Sequence, residues 1–182
     1  MSPGDTLRRI CAHLEKAGIP YMVAGSVASG YHGEIRMTRD IDIVIAPDRT
    51  TLTTFVRALP EAEYYADLDS ALDALVRASM FNVIDMTTGW KIDLVIKKRR
   101  AFSEAEFERR IAGEVFGVPV SLATAEDTVI AKLEWAAQGG SEQQLRDVAV
   151  ILDVRPGLDR AYIERWISSL GLDALWQRVR GG

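Results

Sequence analysis

Three aspartates are placed where their carboxylates could bind metal ions. Asp40 and Asp42 lie two residues apart at the start of an apolar run, and Asp93 interrupts a second apolar run. Because alternate side chains of a strand project from one face, Asp40 and Asp42 share a face, with Cα atoms about 7 Å apart. Divalent cations relieve the repulsion between crowded carboxylates, whose oxygens are the ligands that Mg²⁺ prefers. The pattern predicts a magnesium site formed by Asp40, Asp42 and Asp93.

A glycine and a serine stand where phosphate groups could bind. Gly25 and Ser26 follow the short apolar run 21–24 and precede a small-residue helical pattern. A helix start presents backbone N–H groups that suit triphosphate oxygens, and glycine allows a phosphate to approach closely. Cations held on one side and phosphates on the other predict phosphoryl or nucleotidyl transfer from a nucleoside triphosphate, with two metal ions about 3.5 to 4 Å apart.

The elements that must position these residues follow from hydrophobic periodicity. The first half predicts a strand, turn and helix over 21–33, a strand over 41–45, and a hairpin of strands 81–85 and 91–96. Helical spacing recurs over 49–59, where Asp48 is the predicted cap, and over 67–78. The second half is almost wholly helical apart from a short strand at 118–122. We therefore expect an α/β (α+β) protein with a core over residues 1–100 and a mainly helical C-terminal region over 101–182.

Composition narrows the class of protein. The chain has 182 residues, of which 48% are hydrophobic and 26% charged, as in one compact domain or a small domain with a helical extension. Acidic residues outnumber basic ones, 26 to 22, so there is no overall positive charge to attract nucleic acid. Cys11 is the sole cysteine, which excludes an internal disulfide. With neither an apolar signal segment nor a membrane span evident, we expect a soluble cytoplasmic protein.

The two motifs together resemble a known pattern. The Gly-Ser pair in 24–28, followed about a dozen residues later by Asp-x-Asp in 38–43, is similar to the nucleotidyltransferase superfamily, which includes DNA polymerase beta and the minimal nucleotidyltransferases. Asp93 falls where that family has its third acid. A further likeness, over 125–135 and 139–148, is to the nucleotidyltransferase toxins of type IV abortive-infection systems.

The resemblance implies a nucleotidyltransferase-like mixed sheet flanked by helices, and a role for each matching residue. Asp40 and Asp42 would bind two Mg²⁺ ions, with Mn²⁺ as the alternative, and Asp93 would serve the second ion and activate the acceptor hydroxyl. Gly25 and Ser26 would bind the phosphates of a triphosphate such as ATP. Lys132, which matches a helix lysine of the toxin branch, would reach the triphosphate, and Asp147 would orient that lysine.

The three aspartates and Lys132 also have an ordinary interpretation as members of ion pairs. The charged neighbours that could neutralise the acids and Lys132 are Arg36, Arg39, Lys91, Lys97, Glu126 and Glu134. The combination of Gly-Ser, Asp-x-Asp and a third strand aspartate is more selective than any one motif, and favours the metal interpretation.

Two classes of function therefore compete. The first is a magnesium-dependent nucleotidyltransferase whose acceptor is a tRNA end, a protein hydroxyl or a small molecule such as an aminoglycoside, and which could act as the toxin of a toxin-antitoxin system. The second is a catalytically silent protein of the same fold that binds a nucleotide, an antitoxin or another partner chain. The cationic run 97–100 could contact an RNA acceptor.

Overall fold

A computed structural model describes residues 2–33 and 40–181 of the chain. The helices of this part are α1 (Pro3–Lys16), α2 (Gly25–His32), α3 (Arg49–Ala58), α4 (Leu68–Arg77), α5 (Ala101–Glu108), α6 (Ala125–Gly139), α7 (Glu142–Val154), α8 (Arg160–Leu170) and α9 (Asp173–Gly181). Its strands are β1 (Tyr21–Val23), β2 (Asp40–Ile45), β3 (Tyr64–Ala66), β4 (Met80–Asp85), β5 (Trp90–Ile96), β6 (Ile111–Val115) and β7 (Val118–Leu122).

The strands form one mixed sheet in the order β3-β4-β5-β2-β1-β7-β6. β2 is parallel to β5 and antiparallel to β1, while β1 is parallel to β7. The hairpins β4–β5 and β6–β7 are antiparallel, as is the pair of β3 with β4. The predicted α/β (α+β) class with a mixed sheet is confirmed. β2 and β5, which carry the three aspartates, are direct neighbours near the middle of the sheet.

The two faces of this sheet differ in character. On one face the alternate residues of β2, β4 and β5 are buried against the apolar sides of α1, α3 and α4, a cluster that includes Ile41, Ile43, Phe81, Ile92 and Leu94. The period-two burial of β2 and β4 follows directly from the alternation of strand side chains. The other face carries the residues between them, and these include the aspartates.

The C-terminal helices have a hydrophobic cluster of their own. Residues from α6, α7, α8 and α9 pack together with Phe102 of α5. α6 and α7 also contact α2, which brings these helices to the face of the sheet that carries the aspartates. The sheet itself continues into the second half of the chain through β6 and β7, so that half is less wholly helical than its sequence predicts. The boundary near residue 100 stays a prediction.

Several local predictions can be compared directly with the structure. Asp48 caps α3 through a hydrogen bond from the Thr51 amide, at 2.7 Å, and the hairpin of β4 and β5 has the expected antiparallel form. Cys11 is buried, and its burial raises its pKa to about 11, which suits an unreactive thiol. None of the helices within the described residues is long and apolar enough to cross a membrane.

A buried polar network joins α5, α6 and α8. Asp127 is fully buried and accepts hydrogen bonds from Tyr162 Oη (2.6 Å), Thr124 Oγ1 (2.6 Å) and Arg109 Nε (3.2 Å). Three donors satisfy the ionised carboxylate, so its burial is tolerated. Glu106 lies beside this network, and burial, reinforced by the charge of Asp127, raises its pKa to about 7.

The Glu106 side chain should make the protein less stable as pH rises. Its pKa is about 7 in the folded protein against an ordinary value of 4.5, so folding disfavours its ionisation and the stability of the protein falls as the pH rises from 4.5 to about 7. We expect Glu106→Gln to raise the free energy of unfolding by about 1 to 3 kcal/mol above pH 7, and the gain to shrink toward acid pH. Thermal unfolding as a function of pH measures this, with the exposed neighbour Glu108→Gln as the control. An equal gain at every pH would contradict the assignment.

Candidate active site

Asp42 and Asp93 stand side by side on adjacent strands. The parallel register of β2 and β5 pairs Asp42 with Asp93 and Asp40 with Lys91. Neighbouring strands lie about 4.8 Å apart, and paired residues project from the same face. The structure therefore brings the three sequence-predicted acids to one face, with Asp93 almost fully buried, Asp42 partly buried and the Asp40 side chain half-exposed.

The pKa of Asp42 is raised by its surroundings. Burial raises the pKa of its carboxyl, and the charge of Asp93 raises it further. The amide of Ser26 and the ammonium of Lys132 act in the opposite direction. Two carboxylates with limited access to water form a site that gains from added positive charge.

Both oxygens of Asp93 have hydrogen-bond partners. Asn82 of β4, which the antiparallel register places opposite Asp93, donates from Nδ2 to Oδ1 at 2.9 Å. Lys91 Nζ lies 3.0 Å from Oδ2 of Asp93 and 3.8 Å from Oδ1 of Asp40. Lys91 is thus the ion-pair partner anticipated for Asp93. The sequence does not predict the role of Asn82, because its position opposite Asp93 depends on a hairpin register that the predicted loop over 86–90 leaves open.

Gly25 and Ser26 begin α2 directly against Asp42. The amide of Ser26 points to Asp42 Oδ2, at 3.4 Å, and Ala24 N donates to the Asp42 carbonyl at 2.9 Å. Gly25 has a φ of +56°, and a Cβ built on it would collide with the Asp42 carboxylate. The backbone here needs glycine both for its conformation and for its close approach to an acid. The phosphate-binding role of Gly25 and Ser26 stays a prediction.

We expect Gly25→Ala to disrupt this junction. An alanine at this position would have to keep the positive φ, and its methyl group would displace Asp42. We expect these two effects to lower the free energy of unfolding by about 2 kcal/mol or more. Denaturant unfolding measures the loss, and binding of a nucleoside triphosphate should weaken in parallel. Gly139→Ala is the matched control, because a Cβ there meets no atom within 4 Å and φ is not positive. If Gly25→Ala and Gly139→Ala were equally stable, the close approach of Gly25 to Asp42 would be contradicted.

Lys132 is buried and paired across α6 and α7. Only 3% of the residue is exposed, and Nζ lies 2.7 Å from Asp147 Oδ2 and 2.8 Å from Gln144 Oε1. The ammonium is close enough to lower the pKa of Asp42. The interpretation of Lys132 as the partner of Glu126 or Glu134 on the helix surface is therefore wrong. Glu134 pairs with Arg100, and Glu126 lies 3.6 Å from Arg109.

Loss of Lys132 should destabilise the protein more than joint loss of the pair. Lys132→Met would take the ammonium from Asp147, whose side chain is 9% exposed and also accepts a hydrogen bond from Gln143 Nε2 at 2.7 Å. Removal of one member of a buried ion pair typically costs about 3 to 5 kcal/mol, whereas the double variant Lys132→Met, Asp147→Leu replaces both charges with apolar groups. We expect the double variant to recover at least half of the lost free energy in denaturant unfolding. Additive losses would indicate that the two side chains act independently.

Comparison with known proteins bears on the fold. No protein-family model matches the sequence. No curated protein matches it either. Among solved structures, ANT(2'')-Ia in complex with adenylyl-2''-tobramycin superposes with a TM-score of 0.57 at 14% identity, covering 91% of this chain and 95% of that one. An antigenic nucleotidyltransferase-like protein from Paracoccidioides brasiliensis gives 0.54 at 16% identity, covering 96% and 91%.

A third structure agrees with these two. The lincosamide antibiotic adenylyltransferase LnuA, lincomycin-bound, superposes with a TM-score of 0.51 at 12% identity, covering 85% of this chain and 98% of that one. The chain has the nucleotidyltransferase fold. At these identities the likeness concerns the fold, and within the nucleotidyltransferase fold the chemistry depends on the side chains that the site presents.

The donor set of this nucleotidyltransferase fold suits a divalent cation by its chemistry. Asp40, Asp42 and Asp93 offer hard oxygen ligands on one face, and added positive charge would favour the ionised form of Asp42, whose pKa is raised first by burial and then by the charge of Asp93. Within residues 2–33 and 40–181, however, no group of three His, Cys, Asp or Glu side chains is arranged to hold a metal ion. Lys91 contacts Asp40 and Asp93 instead.

The remaining predicted neighbours can be placed only in part. Thr38 and Arg39 of the acidic motif, and Arg36, lie outside the described residues. In the cationic run, Lys97 pairs with Glu104 and Arg100 with Glu134. Two of its four positive charges are therefore neutralised within the protein.

Proposed function

We propose that this protein is a magnesium-dependent nucleotidyltransferase that transfers a nucleoside monophosphate from a nucleoside triphosphate to a hydroxyl group. The observation that carries the proposal is the in-register pair Asp42 and Asp93, placed against the start of α2 at Gly25. This arrangement joins carboxylates, which bind cations, to backbone amides, which bind phosphates, within a nucleotidyltransferase fold.

Each residue then has a role that follows from its chemistry. Asp40, Asp42 and Asp93 would hold Mg²⁺, or Mn²⁺, which supplies charge to neutralise the triphosphate. Asp93, whose carboxylate is almost fully buried, would accept the proton of the acceptor hydroxyl. The hydroxyl oxygen forms a bond to the α-phosphorus as the bond to the β-phosphate oxygen breaks, and pyrophosphate leaves. The amide of Ser26 and the buried ammonium of Lys132 bind phosphate oxygens.

A small hydroxyl compound is the acceptor class that the charges favour. The net charge of −4 and the internal pairing of Lys97 and Arg100 leave little positive charge for an RNA backbone. Two superposed structures contain adenylyl-2''-tobramycin or lincomycin. A tRNA or protein acceptor and a toxin's role with an antitoxin partner rest on the resemblance of 125–135 and 139–148 to the abortive-infection branch.

A silent nucleotide-binding or partner-binding protein of the same fold is the alternative function. The observation in its favour is that both oxygens of Asp93 are already engaged, by Asn82 and Lys91. A base that accepts a proton needs one of these oxygens to become available. The two functions therefore differ in whether the contacts of Asp93 change when a cation binds.

Transfer of label from the four α-labelled nucleoside triphosphates tests the proposal. Each is incubated with Mg²⁺ and with total RNA, bulk protein, aminoglycosides, lincosamides or the chain alone. We expect label in one acceptor class, and a loss of about 100-fold or more in Asp42→Asn and Asp93→Asn, because these remove a metal ligand and the base. The exposed Asp69→Asn is the matched control. Cation-dependent nucleotide binding without any transfer would favour the silent protein.

A further inference from the structure

Lys91 lies among the acids of the site on the same strand as Asp93. It is two residues before Asp93, so both side chains project from one face of β5. Its ammonium contacts Asp93 at 3.0 Å and Asp40 at 3.8 Å. One positive charge therefore serves two carboxylates.

The two partners of Asp93 differ in what they can do. Asn82 is a neutral amide that the register of β4 and β5 sets directly opposite Asp93, from where it donates to Oδ1. Lys91 is a charge on a flexible stem, and 40% of its side chain is exposed. Lys91 can withdraw into solvent without disturbing the sheet, and Asp93 would then keep its orientation through Asn82.

We propose that Lys91 is an internal counter-ion of the carboxylate site, which a divalent cation displaces from Asp93 and Asp40. The inference rests on the proposed function, since it concerns the same metal-binding acids. Lys91 neutralises the acids when no metal is bound, and so offsets the repulsion that burial makes costly for Asp42 and Asp93. Because Lys91 and the cation use the same oxygens, their binding is mutually exclusive at Asp93 Oδ2.

If a cation displaces Lys91, removal of Lys91 should have opposite effects on the stability of the metal-free protein and on its affinity for the cation. Removal of Lys91 should lower the stability of the metal-free protein, because Asp93 and Asp40 lose their shared positive charge. The same change should tighten binding of a divalent cation, because no ammonium competes for the oxygens or repels the incoming ion. A lysine that merely orients the acids in the metal-bound state would instead weaken cation binding when removed.

Titration of the nucleotide-free protein with Mn²⁺, followed by electron paramagnetic resonance of the free ion, tests the proposal. We expect Lys91→Met to bind Mn²⁺ about tenfold more tightly than the unsubstituted protein. Lys91→Arg, which keeps the charge, should bind as the unsubstituted protein does. Lys98→Met is the matched control for net charge, because Lys98 is exposed beyond the end of β5, and its affinity should change by less than about twofold.

Thermal unfolding with and without Mg²⁺ provides a second readout. We expect a lower Tm for Lys91→Met than for Lys98→Met without the ion, and a larger rise in Tm when Mg²⁺ is added. Unchanged or weaker Mn²⁺ binding by a folded Lys91→Met variant would overturn the counter-ion assignment. The proposed function would still stand in that case, provided that the unsubstituted protein binds Mn²⁺ and loses this binding when Asp42 is substituted. Absence of Mn²⁺ binding in every variant, Lys91→Met included, would overturn both.

Discussion

The repulsion between Asp42 and Asp93 is the constraint on which the rest of the site depends. Two carboxylates in register on neighbouring strands, partly or fully removed from water, destabilise a sheet unless positive charge or hydrogen-bond donors surround them. The structure supplies such groups from four different elements, β4, β5, α2 and α6. Their convergence accounts for the position of the α2 start and for the burial of a lysine in α6.

These surroundings divide into fixed and movable parts. The amide of Ser26 is set by backbone geometry, the strand register places Asn82 opposite Asp93, and Lys132 is held by Asp147 and Gln144 between two helices. Of the two lysines near these acids Lys91 is the more exposed, with 40% of its side chain accessible against 4% for Lys132. In the proposed exchange, some groups must hold the acids in place while the Lys91 ammonium leaves. Such a site gains from assigning these two tasks to different side chains. The opposite face of the sheet, packed on α1, α3 and α4, provides the rigid support.

The sequence predicts those parts of the structure that depend on residues close together in the chain, and it fails for parts that depend on residues close only in space. The strict alternation of β2 and β4 and the Asp48 cap are local, and the sequence predicts them. β3, β6, α5 and α9 were missed, because each is a short segment whose pattern is weak and whose structure depends on its neighbours in space. Similarly, motif spacing identifies Asp40, Asp42 and Asp93 as candidates, but their register and the opposition of Asn82 arise only from tertiary packing. The Lys132–Asp147 pair is expected from the family resemblance and not from the spacing of the two residues.

The parallel pairing of β1 with β7 has a consequence for how the chain folds during synthesis. β1 joins residues near the N-terminus to a strand that is synthesised about 100 residues later. Until β7 emerges from the ribosome, β1 is the edge of a partial sheet, with unpaired backbone groups open to other chains. The helix that carries Lys132 follows β7 directly, so the acids are in place before the lysine that faces them. The charged surroundings of Asp42 and Asp93 are therefore completed only when most of the chain has been made.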